Sequence, residues 1–292
     1  MTKLFHIYDR KDLSAYDHCP VLTRPVYGVY HVYCDTGWEG VVADQVATLR
    51  GSGLLAATQR LYVSMITFRA DDEERLRRIL PEPQVEIVAV SNDPKAYEYP
   101  ALRQVRELGM KGEAYIYYFH TKGISYQTFE SRDRRFLRFR AKIVAWREML
   151  EYFIFTRWHV AVNALADGYD CYGCYQWPPR SYTMFSGNFF WIRSEYAATL
   201  PALTPETIGG NRFYSEIWLY QKPHTTFSAF ETVADLYYVR IPRSLYTLPH
   251  PPFTDRLMFW WWYNWRKLLK HAFGYSYKYR NQARYQKLRA KQ

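Results

Sequence analysis

Apolar and polar positions in the first 120 residues repeat with two different periods. Residues 29–34 are a short β-branched and aromatic run, the pattern of a buried strand. Asp35-Thr36-Gly37 then reads as a turn in which Asp35 or Thr36 suits a helix cap. Trp38, Val41, Val42, Val46 and Leu49 recur at helical spacing and predict an amphipathic helix, closed by Gly51-Ser52-Gly53. Residues 61–68, 85–90 and 115–119 repeat the strand pattern. Between them, residues 71–80 predict a charged helix that stops before Pro81, and residues 97–108 a helix entered through Glu98 and Pro100. This alternation predicts an α/β fold with a mostly parallel sheet flanked by helices.

The second half is less regular. Residues 142–164 predict one long helix after a basic stretch at 129–140. Residues 167–175 read as turn and strand, 186–192 as a strand, 194–200 as a helix, and 212–220 as a helix after Gly209-Gly210-Asn211. Residues 227–241 mix helix and strand. Pro249-His250-Pro251-Pro252 is a rigid break. It divides a main domain, 1–248, from a C-terminal appendage, 249–292.

Charge sharpens that division. Of 39 Lys and Arg, ten lie from Arg256 onward, where there is no Asp or Glu. The body therefore carries 29 basic against 28 acidic side chains, which argues against a generally basic nucleic-acid-binding fold. No apolar run of signal-peptide length precedes Asp9-Arg10-Lys11-Asp12, and no window has the apolar length of a transmembrane helix. A cytoplasmic location is expected. Of the four cysteines, Cys171-x-x-Cys174 has redox or half-zinc spacing, but no second pair accompanies it, so ordinary reduced thiols are expected.

The stretch at 115–119 ends abruptly in His120-Thr121-Lys122-Gly123. Ligands of open α/β sheets bind beyond the carboxyl ends of strands. A cation and an imidazole there suit an anionic ligand, and Gly123 permits a sharp turn. The plainer reading is that His120 and Lys122 only cap a strand at the surface.

His120–Gly123, Trp146-Arg147-Glu148-Met149, Ser186-Gly187-Asn188-Phe189-Phe190-Trp191 and Arg212…Glu216-Ile217-Trp218-Leu219 occur in that order, with Glu98-Tyr99-Pro100-Ala101-Leu102 upstream. Together they resemble a family of bacterial and large-virus glycosyltransferases from capsule and surface-polysaccharide clusters. The resemblance covers about residues 30–219. It implies a GT-A-like fold, a nucleotide-sugar donor, and a glycan or lipid-linked glycan acceptor. GT-A enzymes usually hold a divalent metal with an Asp-x-Asp, which is absent here, so dependence on Mn²⁺ or Mg²⁺ is in doubt. Lys122 is expected to take over part of the metal's role in neutralising the leaving diphosphate, with His120 on a phosphate or ribose oxygen. Asp35 and Glu98 are further donor-side candidates, each also readable as a helix-end carboxylate. Glu216 is the expected catalytic base, with Asp170 as the alternative. Against these stand an Arg212–Glu216 helix pair and local turn chemistry at Asp170. Gly187, Asn188, Trp191 and Arg212 are the expected acceptor or sugar contacts, although the aromatic run 189–191 also suits a core. A non-catalytic carbohydrate- or nucleotide-binding scaffold is the alternative function.

Residues 256–270 combine four Trp with Arg and Lys. This suits an anionic membrane surface, and so a peripheral enzyme on the inner face of the membrane. A helix packing its Trp face on the body, and an RNA-binding tail, are the other readings.

Overall fold

The computed structural model describes residues 7–177 and 184–291. The expectation for the extreme N-terminus, residues 1–6, lies outside them. The first half runs β1 (Tyr8–Arg10), β2 (Val26–Tyr33), α1 (Trp38–Gly51), α2 (Leu54–Ala57), β3 (Arg60–Ile66), α3 (Asp72–Ile79), β4 (Val85–Ser91), α4 (Tyr99–Lys111) and β5 (Tyr115–His120). The middle runs α5 (Ile124–Gln127), α6 (Arg134–Glu151), α7 (Trp158–Ala166), β6 (Cys171–Gly173), β7 (Gln176–Trp177), β8 (Met184–Phe185), β9 (Phe190–Arg193) and α8 (Ser194–Thr199). Then come α9 (Pro205–Ile208), α10 (Tyr214–Ile217), β10 (Thr226–Ser228), β11 (Phe230–Thr232), α11 (Ser244–Thr247), α12 (Phe253–Phe273) and α13 (Tyr277–Arg289).

Seven strands form one sheet in the order β10-β6-β9-β5-β2-β3-β4. It is mostly parallel and broadly Rossmann-like; only β9 runs antiparallel, to both β5 and β6. From β2 the chain steps outward to β3 and β4, then crosses back to β5 on the other side of β2. Successive connections therefore diverge at the β2–β5 boundary. A crevice opens at the carboxyl ends of strands at such a point.

Central strands covered on both faces read as continuous apolar runs. Accordingly Tyr115 through Phe119 are all buried, and Tyr30 stacks on Phe119 with centroids 4.1 Å apart. Burying one such aromatic contributes about 1.5–3 kcal/mol. Their polar ends are satisfied inside: the Tyr30 hydroxyl donates to Gln45 Oε1 at 2.8 Å, and the Tyr117 hydroxyl meets Thr58 Oγ1 at 2.9 Å.

Three expectations are corrected. The long helix at 142–164 is α6, a π-helical turn over Tyr152–Thr156, and α7. Consecutive buried Phe153, Ile154 and Phe155 do not fit one helical face, and the wider turn accommodates all three. The strand at 186–192 is only β9. Gly187 at φ +104° and Asn188 at φ +55° turn the chain just before it, which extended backbone does not allow. Residues 234–241 carry turns rather than a helix.

The C-terminal appendage is docked. Tyr285 of α13 is buried against Tyr126, Phe129 and Phe136, and Arg284 Nε lies 3.1 Å from Asp133 Oδ1. Helix α12 behaves differently, burying only Phe259.

Candidate functional site

A cleft of about 540 Å³ opens at the β2–β5 divergence. Its walls include His31 and Tyr33 from β2, Glu98 at the start of α4, His120 from β5, and Arg212 and Glu216 around α10. The loop before α4 adds Lys95 and Tyr97.

His120 ends β5 with its ring turned into this wall. Nε2 is 2.8 Å from the Gly187 carbonyl. A carbonyl only accepts, so Nε2 carries the proton and neutral His120 presents Nδ1 as an acceptor. Nδ1 faces Glu98 Oε1 at 3.8 Å. Burial drives the His120 pKa down, opposed by Glu98 and reinforced by Lys122. His31 lies behind, with Nδ1 2.8 Å from Ser64 Oγ and its pKa lowered to about 4 by burial.

Glu98 is the hub. It sits at the N-cap position of α4, yet its side chain caps no backbone N–H there. Oε2 instead accepts from the Tyr118 hydroxyl at 2.9 Å and from Asn188 Nδ2 at 2.6 Å. Burial opposes its ionisation, but His120, His31 and these two donors together hold its pKa below the ordinary value. The residue just before it, Tyr97, has φ +45°, a conformation costly for a residue with a Cβ. Its half-exposed ring stands over the cleft, at right angles to Tyr99.

Glu216 comes from the opposite wall on the short α10. Burial pushes its carboxyl pKa up, and Lys122 pulls against that. Among the described residues it makes no ion pair with Arg212. That guanidinium lies instead over the Phe213 ring, 4.4 Å from its centroid. The cleft therefore holds a carboxyl group whose hold on a proton is strengthened by burial.

Lys122 follows β5 beside the cleft carboxylates. Its ammonium lies 4.4 Å from the Trp146 ring centroid, outside the cleft lining, and acts electrostatically on Glu216. Burial lowers its own pKa, with Glu216 and Glu98 countering. Gly123 has φ +67°, and a Cβ there would stand 2.3 Å from Ile143 Cγ2, so the turn into α5 requires glycine.

Gly187 and Asn188 support the site from behind. A Cβ on Gly187 would stand 2.5 Å from Leu150 Cδ1. Asn188 is buried and gives its amide to Glu98 and, at 3.3 Å, to the Ser215 carbonyl, so it ties the Glu98 wall to the α10 wall. Trp191 is a core residue: it is fully buried, donates to the Ile154 carbonyl at 2.9 Å and packs on Tyr117.

Asp170 stands at the opposite end of the sheet. It immediately precedes β6 at the amino edge, where it pairs with Arg193 and accepts from the Thr225 backbone N–H at 2.8 Å. Those contacts hold its pKa down against burial, as in a structural tether rather than a base. Asp35 follows β2 at the carboxyl edge, outside the cleft lining. Its Oδ1 accepts from the Thr36 N–H at 2.9 Å, and no side chain caps α1.

Sequence reasoning missed His31, Lys95 and Tyr97. A histidine inside an otherwise apolar strand was a usable signal, because a buried polar group needs a reason. Lys95 and Tyr97 carried none, since only the fold brings that loop over the cleft. No group of three or more His, Cys, Asp and Glu side chains among the described residues is arranged to hold a metal ion. Comparison of this chain with known protein families and with curated proteins finds no match.

Proposed function

We propose that this protein is a glycosyltransferase of GT-A-like fold that moves a sugar from a nucleotide-sugar donor to a glycan acceptor. The observation that carries the reading is the convergence of Glu98, His120, Arg212 and Glu216 on one cleft at the diverging β2–β5 boundary. The motif order in the sequence adds to it. Among the described residues no group of His, Cys, Asp and Glu side chains is arranged to hold a divalent metal, so no step is routed through one.

In this reading the cationic rim, Lys95 and Arg212, meets the donor diphosphate, and Arg212 suits a bidentate contact. His120 offers Nδ1 to a ribose or sugar hydroxyl, in an orientation set by the Gly187 carbonyl. The exposed ring of Tyr97 suits stacking on a base or a sugar face. Glu216 takes the proton from the acceptor hydroxyl as that oxygen bonds to the anomeric carbon and the carbon–oxygen bond to the diphosphate breaks. Lys122 keeps Glu216 ionised enough to act as base.

The test is a thermal-shift screen of nucleoside diphosphates and sugar nucleotides, with and without Mn²⁺, followed by transfer assays. A ligand at a hundred times its dissociation constant stabilises by about 2.7 kcal/mol. One donor is expected to shift the transition, and Glu216→Gln is expected to keep that shift while losing turnover. A folded chain stabilised by no sugar nucleotide refutes the proposal. A donor shift with no turnover in the unaltered chain reduces it to a binding module.

A further inference from the structure

A second cavity, about 760 Å³, lies between α6, α12 and α13. Six cations line it: Arg135, Arg138, Lys142, Arg240, Arg266 and Arg280. Among the described residues its lining contains no carboxylate. Aromatic rings hold these charges without neutralising them. The Arg266 guanidinium carbon is 3.4 Å from the Tyr277 centroid and 5.2 Å from that of Trp262, and Arg280 lies 4.0 Å from Tyr275. Arg266 Nε is buried without a hydrogen-bond partner among the described residues. Lys142 is driven to a pKa of about 8 by burial and by Arg266, with Asp235 the opposing charge. Clustered cations with an orphaned donor form a receptor for a multiply charged anion, and arginine suits phosphate.

Trp262 connects this cavity to a second feature. It lines the cavity and is 41% exposed. Beside it on α12, Leu257, Trp261, Trp265 and Leu268 recur at helical spacing, exposed by 38 to 57%. The tryptophans of α12 are therefore divided between the body and the exterior. Trp260 and Tyr263 do pack inward, but Trp261, Trp262 and Trp265 face out. An exposed apolar stripe on a helix that also carries Arg256, Lys267 and Lys270 has the make-up of a helix lying in a membrane interface. No described helix is long and apolar enough to cross a membrane.

We propose that the α6–α12–α13 cavity binds the phosphate headgroup of an anionic lipid while the tryptophan face of α12 enters the membrane interface. Trp262 joins the charged cavity to the exposed tryptophans of α12, and this pairing of charge with apolar contact selects a lipid over a free phosphate or a single-stranded nucleic acid. This inference does not depend on the glycosyltransferase reading.

The test is co-sedimentation of the full chain with phosphatidylcholine vesicles, pure or containing about one quarter phosphatidylglycerol. Partitioning is expected to favour the anionic vesicles at least about tenfold and to fall with added salt. Arg138→Gln with Arg240→Gln, two exposed positions whose loss spares the fold, is expected to lower anionic binding about fivefold per cation. Lys142→Gln with Arg266→Gln should do at least as much. Trp261→Ala with Trp265→Ala is expected to weaken binding to both vesicle types, with thermal unfolding unchanged. Equal partitioning into both vesicles, or unchanged binding by both cation pairs, overturns the proposal. Glycerol phosphate bound as tightly as vesicles, or an oligonucleotide that displaces them, also overturns it in favour of a soluble anion or a nucleic acid.

Discussion

Glu98 joins both walls of the cleft, and its removal has a calculable cost. Glu98→Ala leaves the buried Tyr118 hydroxyl without its acceptor and deprives Asn188 of its shorter bond, leaving only the Ser215 carbonyl at 3.3 Å. Hydrogen bonds to a charged group contribute about 1.5–3 kcal/mol each. Relief from burying a carboxylate offsets part of this, for a net loss of about 2–4 kcal/mol. At this chain length that lowers the melting temperature by roughly 3–7 °C. Glu98→Gln should behave differently. Both donors bind the same oxygen, Oε2, so an amide oxygen in its place can accept both. The amide N–H₂ then faces His120 Nδ1, which is an acceptor in the tautomer fixed by Gly187. The expected cost is below about 1.5 kcal/mol. Thermal and urea unfolding at pH 7.5 measures both. The folded pKa of Glu98 lies below its ordinary value, so its contribution is full above about pH 4.5 and fades as pH falls through the folded pKa. The gap between Glu98→Ala and the unaltered chain should therefore narrow in acid. Equal stability of Glu98→Ala and the unaltered chain, or an equal cost for Gln and Ala, would refute the reasoning.

The pKa of His31 is depressed to about 4, so His31 stays neutral in the fold while the unfolded chain protonates below about pH 6.5. Unfolding free energy should then fall by up to about 3 kcal/mol between pH 6.5 and 4, and urea titrations of His31→Gln should show a shallower fall. Gly187→Ala places a Cβ 2.5 Å from Leu150 Cδ1 at φ +104°. A loss of about 2–4 kcal/mol is expected, and a melting curve indistinguishable from the unaltered chain would contradict it. With burial raising the Glu216 pKa, the acidic limb of the transfer-rate profile should lie above the ordinary carboxylate range. Lys122→Met removes the cation that opposes that shift, so the limb should move to still higher pH; a limb that stays in place or moves down would separate Lys122 from Glu216.

Local pattern alone determined the framework of the first 120 residues. Strands at 29–34, 61–68, 85–90 and 115–119 correspond to β2 to β5, and the helices between them were legible because one buried face imposes one period. The strand-end position of His120 and Lys122, and the turn at Gly123, were legible for the same reason. What the sequence left open was direction. A carboxylate at a helix start, such as Glu98, a helix-borne Glu216 and a turn-borne Asp170 look equally chemical along the chain. Only the tertiary structure aims the first two into one cleft and ties the third to Arg193 across the sheet. Likewise the pattern could not say whether α12 faced its tryptophans inward or outward, since that depends on which surface α6 and α13 leave for it. Periodicity is set by a residue's near neighbours, whereas side-chain direction at a site is set by contacts distant in sequence, such as Glu98 with Asn188.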